Sequence, residues 1–132
     1  MNDTPKNVLF EAIAVMGKAF ASPVRLELLD LLAQAPHSVE ELARASGQST
    51  ANASQHLQAL HAAGMVTRTR EGTRVRYAIA GDEALHLWLA LRDASITQLA
   101  EVERAARRLK HGWPEWKLAQ QHPKAGTKAK AT

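Results

Sequence analysis

The chain has 132 residues, a formal net charge of +4 and a sequence pI near 9.8, and this basic excess favours a polyanionic partner. Its 45% hydrophobic and 23% charged content is typical of one folded domain and excludes a wholly disordered chain. The absence of cysteine excludes disulfides, thiolate metal sites and cysteine nucleophiles.

The apolar stretch at residues 8–20 is too short to span a membrane, and it carries charges at Glu11 and Lys18. It also lacks the basic start and the cleavage site of a signal peptide. We therefore expect a cytoplasmic protein with no membrane partner.

Two helices are predicted at the start of the chain, and each begins with a hydroxyl cap followed by proline. Thr4-Pro5 opens the first helix and Ser22-Pro23 opens the second. Apolar residues of the second helix cover more than one of its faces, which predicts a central position in the core. The first helix presents one apolar face, formed by Leu9, Ile13, Met16 and Phe20.

Residues 38–64 predict two short helices joined by a tight turn. Ser38 and Glu41 form a capping-box pattern, and Gly47 ends the first of the two helices. The second begins at Ser49 or Thr50 and is closed by Gly64. This is the layout of a helix-turn-helix, in which the second helix enters the DNA major groove.

The second helix of this pair carries the predicted base contacts. At 100° per residue, Ala53, Leu57 and Leu60 form one side, whereas small and amide side chains face away from it. The alternative interpretation is an ordinary amphipathic helix with a solvated polar face. The predicted DNA contacts from this segment are Ser49, Thr50, Asn52, Ser54, Gln55 and Gln58.

Residues 65–79 predict a β-hairpin that turns at Glu71-Gly72-Thr73. A helix-turn-helix followed directly by such a hairpin is a winged helix. We assign Arg70, Arg74 and Arg76 to phosphates or to the minor groove, since clustered guanidinium groups repel one another unless an anion is near. A solvated surface turn is the alternative.

A long last helix is predicted from Asp82 to about Lys110, and its apolar stripe is longer than a protomer of this size can cover. We therefore expect it to form a homodimer interface together with the first helix. The expected interface residues are Leu9, Ile13, Met16, Phe20, Leu85, Trp88, Ile96, Leu99, Val102 and Leu109.

The predicted organisation is thus a domain at residues 1–110 and a basic, partly disordered tail at residues 111–132, which contains Trp113 and Trp116. The fold class is mainly α with a small β-hairpin, a winged helix-turn-helix with four helices before the hairpin and one after it. No nucleophile with a matched base and no phosphate-binding glycine loop is present, so we expect no enzyme activity and no cofactor.

The order of these elements resembles the ArsR family of bacterial winged-helix repressors. The resemblance rests on five segments: Ala21–Leu26 with Leu28-Leu29, Ser54–Leu57 with Leu60, Ala63–Val66, Glu71–Thr73 and Arg76-Tyr77. The chain is especially similar to the DNA-binding half of ArsR–rhodanese fusions, although no rhodanese sequence follows. The resemblance implies a homodimer that represses an operator and releases it on a signal.

The chain departs from the metal-sensing members of that family. Ser38-Val39-Glu40 stands where thiophilic members carry Cys-Val-Cys, and no Asp-x-His pair occurs. His86 and Asp93 share a face of the last helix, so a zinc- or nickel-sensing repressor is one alternative. A winged helix used only for protein contacts is another. We expect no metal site and a signal from a small molecule or protein partner at the dimer interface, near Trp88 and the first helix.

Overall fold

The computed structural model describes residues 4–108, so the predictions for Leu109 and for the tail at residues 111–132 lie outside the described residues. By its internal contacts the chain divides into two units, residues 1–91 and residues 92–132. The described helices are α1 (Pro5–Ala19), α2 (Pro23–Gln34), α3 (Val39–Ser46), α4 (Thr50–Ala62) and α5 (Asp82–Arg108), and the strands are β1 (His37–Ser38), β2 (Val66–Glu71) and β3 (Arg74–Ile79).

The predicted helix starts are confirmed by side-chain caps. Thr4 Oγ1 accepts a hydrogen bond from the Asn7 amide, and Ser22 Oγ accepts one from the Arg25 amide, each at 3.3 Å. Ser49 caps α4 in the same way. Each cap satisfies an amide that lacks a partner within its helix, which stabilises the helix by about 1 kcal/mol.

The turn between α3 and α4 depends on Gly47, whose φ of 69° is left-handed. A side chain at that φ strains the backbone, so glycine is the residue that lets α3 stop and the chain reverse. The predicted helix-turn-helix is thereby confirmed, both in the position of its two helices and in the role of Gly47 at the turn.

The sheet is antiparallel, with strand order β1-β3-β2. Strands β2 and β3 form a hairpin, which we call the wing. Gly72 and Thr73 form its two-residue turn, and Arg70 lies opposite Val75 across the hairpin. Strand β1 was not predicted, because two residues are too few to show alternation. It places Ser38, the cap of α3, opposite Arg76 of the wing.

The core of the first unit is built by α2, α3 and α4, with contributions from the wing and from the start of α5. Leu28 and Leu29 of α2 are fully buried, as are Leu57 and Leu60 of α4. Trp88 also lies in this core and is only 6% exposed, so little of its side chain remains for a second copy to cover. Its contact with the dimer partner stays a prediction.

Apolar side chains remain exposed on both units. In the first unit, Leu9 and Ile13 of α1 are more than half exposed, whereas Met16, Phe20 and Leu85 are partly buried. In the second unit the exposed apolar residues of α5 are Ile96, Leu99 and Val102. Among the described residues no single helix is long and apolar enough to cross a membrane; α1 and α2 pass that test only as a pair bent by 89°.

The capping box at the start of α3 predicts a pH dependence. The Ser38 amide donates a hydrogen bond to Glu41 Oε1 at 2.8 Å, and this bond, together with the Ser38 side chain and the charges of His37 and Arg76, holds the pKa of Glu41 below 4.5. Since the folded pKa lies below the unfolded one, Glu41 stabilises the fold above pH 4.5. That contribution is lost as pH falls through the lowered pKa.

We therefore expect Glu41→Gln to lower the free energy of unfolding at neutral pH. In acid, the unfolding free energies of the wild type and the variant should become equal. Urea unfolding of both proteins from about pH 7 to about pH 3 measures this difference. A difference that stays constant over that range would contradict the assignment.

Candidate nucleic-acid interface

The exposed face of α4 is held in place by its buried face. Ala53, Leu57 and Leu60 are completely buried and fix the rotation of the helix about its axis. Gln55, which lies opposite them, is exposed to solvent. The predicted division of α4 into a core side and an outward side is therefore confirmed.

The outward amides differ in what they already bind. Asn52 Nδ2 donates to Gln48 Oε1, and Gln58 Nε2 donates to Ser54 Oγ at 3.3 Å. The Gln55 side chain makes no hydrogen bond or ion pair within residues 4–108, so its amide donor and acceptor are both available to a ligand. A free, exposed amide on an outward helix face is suited to reading a base edge.

The start of α4 also carries two hydroxyls. Ser49 Oγ accepts a hydrogen bond from the backbone N–H of Asn52 at 3.0 Å and therefore acts as the cap of α4. Thr50 is the first residue of the helix and is exposed. Both side chains lie at the helix N-terminus, the end that contacts bases when such a helix enters the major groove.

The wing has two faces with different arginines. Residues directly opposite each other in an antiparallel pair lie on the same face, and neighbours along a strand alternate. Arg68 pairs with the buried Tyr77, and Arg70 pairs with Val75. These arginines therefore lie on the Val75 and Tyr77 face.

Arg74 and Arg76 lie on the opposite face of the wing and contact acidic or carbonyl groups near α3. Arg74 Nε is 3.5 Å from Glu40 Oε1, and an Arg76 guanidinium nitrogen donates to the Pro36 carbonyl at 3.4 Å. The sequence predicts that both arginines contact DNA phosphates or the minor groove, and the structure gives each of them a partner within the protomer.

An open cleft of about 470 Å³ separates α4 from the wing, and we call it the α4–wing cleft. The residues that line this cleft are Val39, Ser54, Gln58, Arg68, Thr69, Arg70, Val75 and Tyr77.

Sequence reasoning missed Arg68 as a site residue because alternation along β2 was unclear. The two-residue turn at Gly72-Thr73 sets the register of β2 against β3, and that register would have identified Arg68.

The metal candidates do not form a site within the described protomer. His86 is exposed, and Asp93 Oδ1 lies 3.8 Å from Arg92 Nε. Within residues 4–108, no three His, Cys, Asp or Glu side chains are grouped so that they would hold a metal ion.

Comparison with known proteins identifies the family. A family model described as "Bacterial regulatory protein, arsR family" matches residues 22–68. The HTH-type transcriptional regulator Rv0324 of Mycobacterium tuberculosis is 43% identical over 101 residues, which cover 76% of this chain and 45% of that relative. The regulator Rv0081 of the same organism is 35% identical over 80 residues, which cover 60% of this chain and 70% of Rv0081.

Solved structures agree with the fold. The solution structure of the homodimeric winged helix-turn-helix DNA-binding domain of Mb0332 from Mycobacterium bovis superposes with a TM-score of 0.70 and is 40% identical. That match covers 76% of this chain and 93% of the neighbour. The relatives are named as transcriptional regulators, not as enzymes, and the chain spans less than half of the length of Rv0324. The chain belongs to the arsR family of bacterial regulatory proteins and has the winged helix-turn-helix fold.

Proposed function

We propose that this chain is a sequence-specific, double-stranded-DNA-binding transcriptional repressor that acts as a homodimer. The observation that carries the proposal is the outward face of α4, where the exposed Gln55 side chain has no partner among residues 4–108 and lies beside an arginine-bearing wing. Because the proposed ligand is an operator in chromosomal DNA, we expect the protein to act in the bacterial cytoplasm.

Amides are the base-reading groups in this proposal, because α4 contains no lysine or arginine. Asn and Gln form paired hydrogen bonds with adenine, whereas arginine prefers guanine. We therefore expect A·T pairs at the positions contacted by Gln55 and Asn52. Ser49 and Thr50 lie at the end of α4 that first meets the groove.

Dimerisation is supported by the exposed apolar residues of α1 and by the homodimeric state of the Mb0332 domain. The proposed contacts in the first unit are Leu9, Ile13, Met16, Phe20 and Leu85. Those in the second unit are Ile96, Leu99 and Val102. A two-fold dimer presents two copies of α4 to half-sites about 34 Å apart, and its operator is then a palindrome.

Selection from a pool of random double-stranded DNA tests this function. We expect enrichment of a palindromic motif with A·T-rich half-sites, and binding that weakens steeply with salt. Recovery of no motif, with equal binding to every duplex, would contradict sequence-specific recognition. Absence of any salt-dependent DNA binding would instead support a winged helix used for protein contacts.

The releasing signal in this proposal is a small organic molecule or a protein partner, and it does not depend on thiols. The chain lacks cysteine, which removes the ligands for arsenite, cadmium and persulfide chemistry. A cleft of about 260 Å³ between α1, the segment that follows α4 and the start of α5 is the proposed location, with Met16, Met65, Glu83 and Leu87 in its lining.

We accordingly expect arsenite, peroxide, zinc and nickel to leave the protein bound to its operator. Fluorescence anisotropy of labelled operator DNA, titrated with each reagent in turn, measures this. Release by stoichiometric arsenite would contradict the argument from composition. Release by micromolar zinc or nickel that is lost in His86→Ala would replace it with the metal-sensing alternative, for which His86 and Asp93 are the candidate ligands.

A further inference from the structure

We propose that the α4–wing cleft is a binding site for a phosphate group, and this inference rests on the proposed DNA-binding function. Arg68 and Arg70 supply the positive charge, whereas Ser54 and Gln58 supply neutral hydrogen-bond donors. Arg74 and Arg76, on the opposite face, position the wing against α3 and the segment before it. The two arginines of β2 thus bind the phosphate, whereas the two arginines of β3 hold the wing in position.

The α4–wing cleft carries positive charge. Arg68 and Arg70 are exposed, and within residues 4–108 neither side chain forms an ion pair or a hydrogen bond. They lie two residues apart on one face of β2, so their charges repel each other until an anion lies between them. Guanidinium groups match phosphate oxygens in planar, two-point hydrogen bonds.

Helix α4 supplies neutral hydrogen-bond donors to the cleft. Gln58 Nε2 donates to Ser54 Oγ, which leaves the Ser54 hydroxyl proton free to be donated to another acceptor. Donation into the hydroxyl also polarises it, which makes it a stronger donor. The cleft thus combines two cations from β2 with a hydroxyl and an amide from α4.

The other two arginines of the wing already have partners within the protomer. Arg74 faces Glu40 at 3.5 Å, and Arg76 donates to the Pro36 carbonyl and lies close enough to Glu41 to lower its pKa. To bind a phosphate, these arginines would first have to leave those groups. Their contacts instead connect β3 to α3 and to the segment that precedes it.

The phosphate has two possible sources, a phosphodiester of the DNA backbone and a free phosphorylated small molecule. We assign it to the DNA backbone, because the cleft borders the helix whose outward face carries Gln55. Its volume of about 470 Å³ falls within the range of small-ligand sites, so a free anion is the competitor that the experiment must include.

The test compares two double variants of equal charge on the same hairpin, Arg68→Ala/Arg70→Ala and Arg74→Ala/Arg76→Ala. The affinity of each variant is measured as a function of KCl concentration, on the selected operator and on a random duplex. We expect the first variant to reduce the slope of log affinity against log salt by about 1 to 2 and to weaken both duplexes by the same factor. We expect the second variant to change the slope by less than half of that amount.

Thermal unfolding completes the comparison, since a positioning role predicts that Arg74→Ala/Arg76→Ala lowers the melting temperature more than the other pair. A third variant, Arg68→Lys/Arg70→Lys, should keep most of the salt slope while losing affinity, because lysine retains the charge without the two-point geometry. Equal slope changes for the two alanine pairs, or a larger change for Arg74→Ala/Arg76→Ala, would overturn the inference.

Two further outcomes separate this inference from the function on which it rests. A wild-type protein without salt-dependent duplex binding would refute the proposed function itself. Normal wild-type binding together with an unchanged Arg68→Ala/Arg70→Ala variant would refute only the phosphate site. Inorganic pyrophosphate is then added at constant ionic strength. Displacement of wild-type protein at micromolar concentration, absent in Arg68→Ala/Arg70→Ala, would overturn the assignment to the DNA backbone.

Discussion

Placing a lysine at Ile13 should separate the proposed dimer and lower affinity for the operator by about 10²- to 10⁴-fold. Ile13 is 53% exposed on α1, beside Leu9, and a protomer gains nothing from leaving these side chains in water. In a dimer, the second half-site is bound at a high effective concentration, and a monomer loses that gain even though its α4 is unchanged.

Sedimentation measures the association of Ile13→Lys, and anisotropy measures its operator affinity. Glu11→Lys is the matched control, because it adds the same side chain about 200° away on the helix, on the side that already carries charge. The control should remain dimeric and bind at least as tightly as wild type. A dimeric Ile13→Lys with wild-type affinity would show that α1 is not part of the interface.

Replacing Gln55 by alanine should weaken operator binding by about 1–3 kcal/mol and leave binding to random DNA nearly unchanged. Gln55 is the outward amide of α4 that has no hydrogen-bonding partner within the described residues. Its loss therefore costs base contacts without disturbing contacts inside the protomer. The preference for A·T at the contacted position should relax as well.

Gln58→Ala is the matched control for Gln55→Ala, since it removes the same amide one turn along α4. Gln58 lines the α4–wing cleft and donates to Ser54, so its loss should weaken all duplexes to a similar extent. Competition between operator and random DNA distinguishes the two variants. If Gln55→Ala weakens both duplexes equally, Gln55 contacts the backbone rather than a base.

Much of the fold was predictable because its signals are local. Ser22, Ser38 and Ser49 each cap a helix within three residues along the chain, and Gly47 marks the end of α3 by its own conformation. The leucines of α2 showed by their spacing alone that this helix is central. Each of these features depends only on residues within or next to one helix and on the spacing of apolar residues along it.

The features that sequence reasoning missed depend on pairing between distant segments. Strand β1 exists because His37 and Ser38 pair with Tyr77 and Arg76, about 40 residues away. The faces of the wing depend on the register across Gly72-Thr73, which separates Arg68 and Arg70 from the other two arginines. Alternation within β2 alone does not carry that information, because residues 67–71 are all exposed.

Trp88 shows that helical spacing alone does not predict whether an apolar residue is buried within its own protomer. Helical spacing placed it on the same stripe as Leu85, but spacing does not distinguish a protomer core from a surface that a second copy covers. The structure buries Trp88 within its own protomer and leaves Ile13 exposed. The closer likeness to ArsR–rhodanese fusions, and the tail that contains Trp113 and Trp116, stay predictions.

The central claim is that one homodimer reads two half-sites on one face of the DNA. The most direct measurement is affinity for the selected operator when five base pairs are inserted at its centre, which turns the half-sites to opposite faces of the duplex. We expect affinity to fall to that of a single half-site, since successive half-sites must lie about one helical turn apart. Unchanged affinity after the insertion would contradict the account.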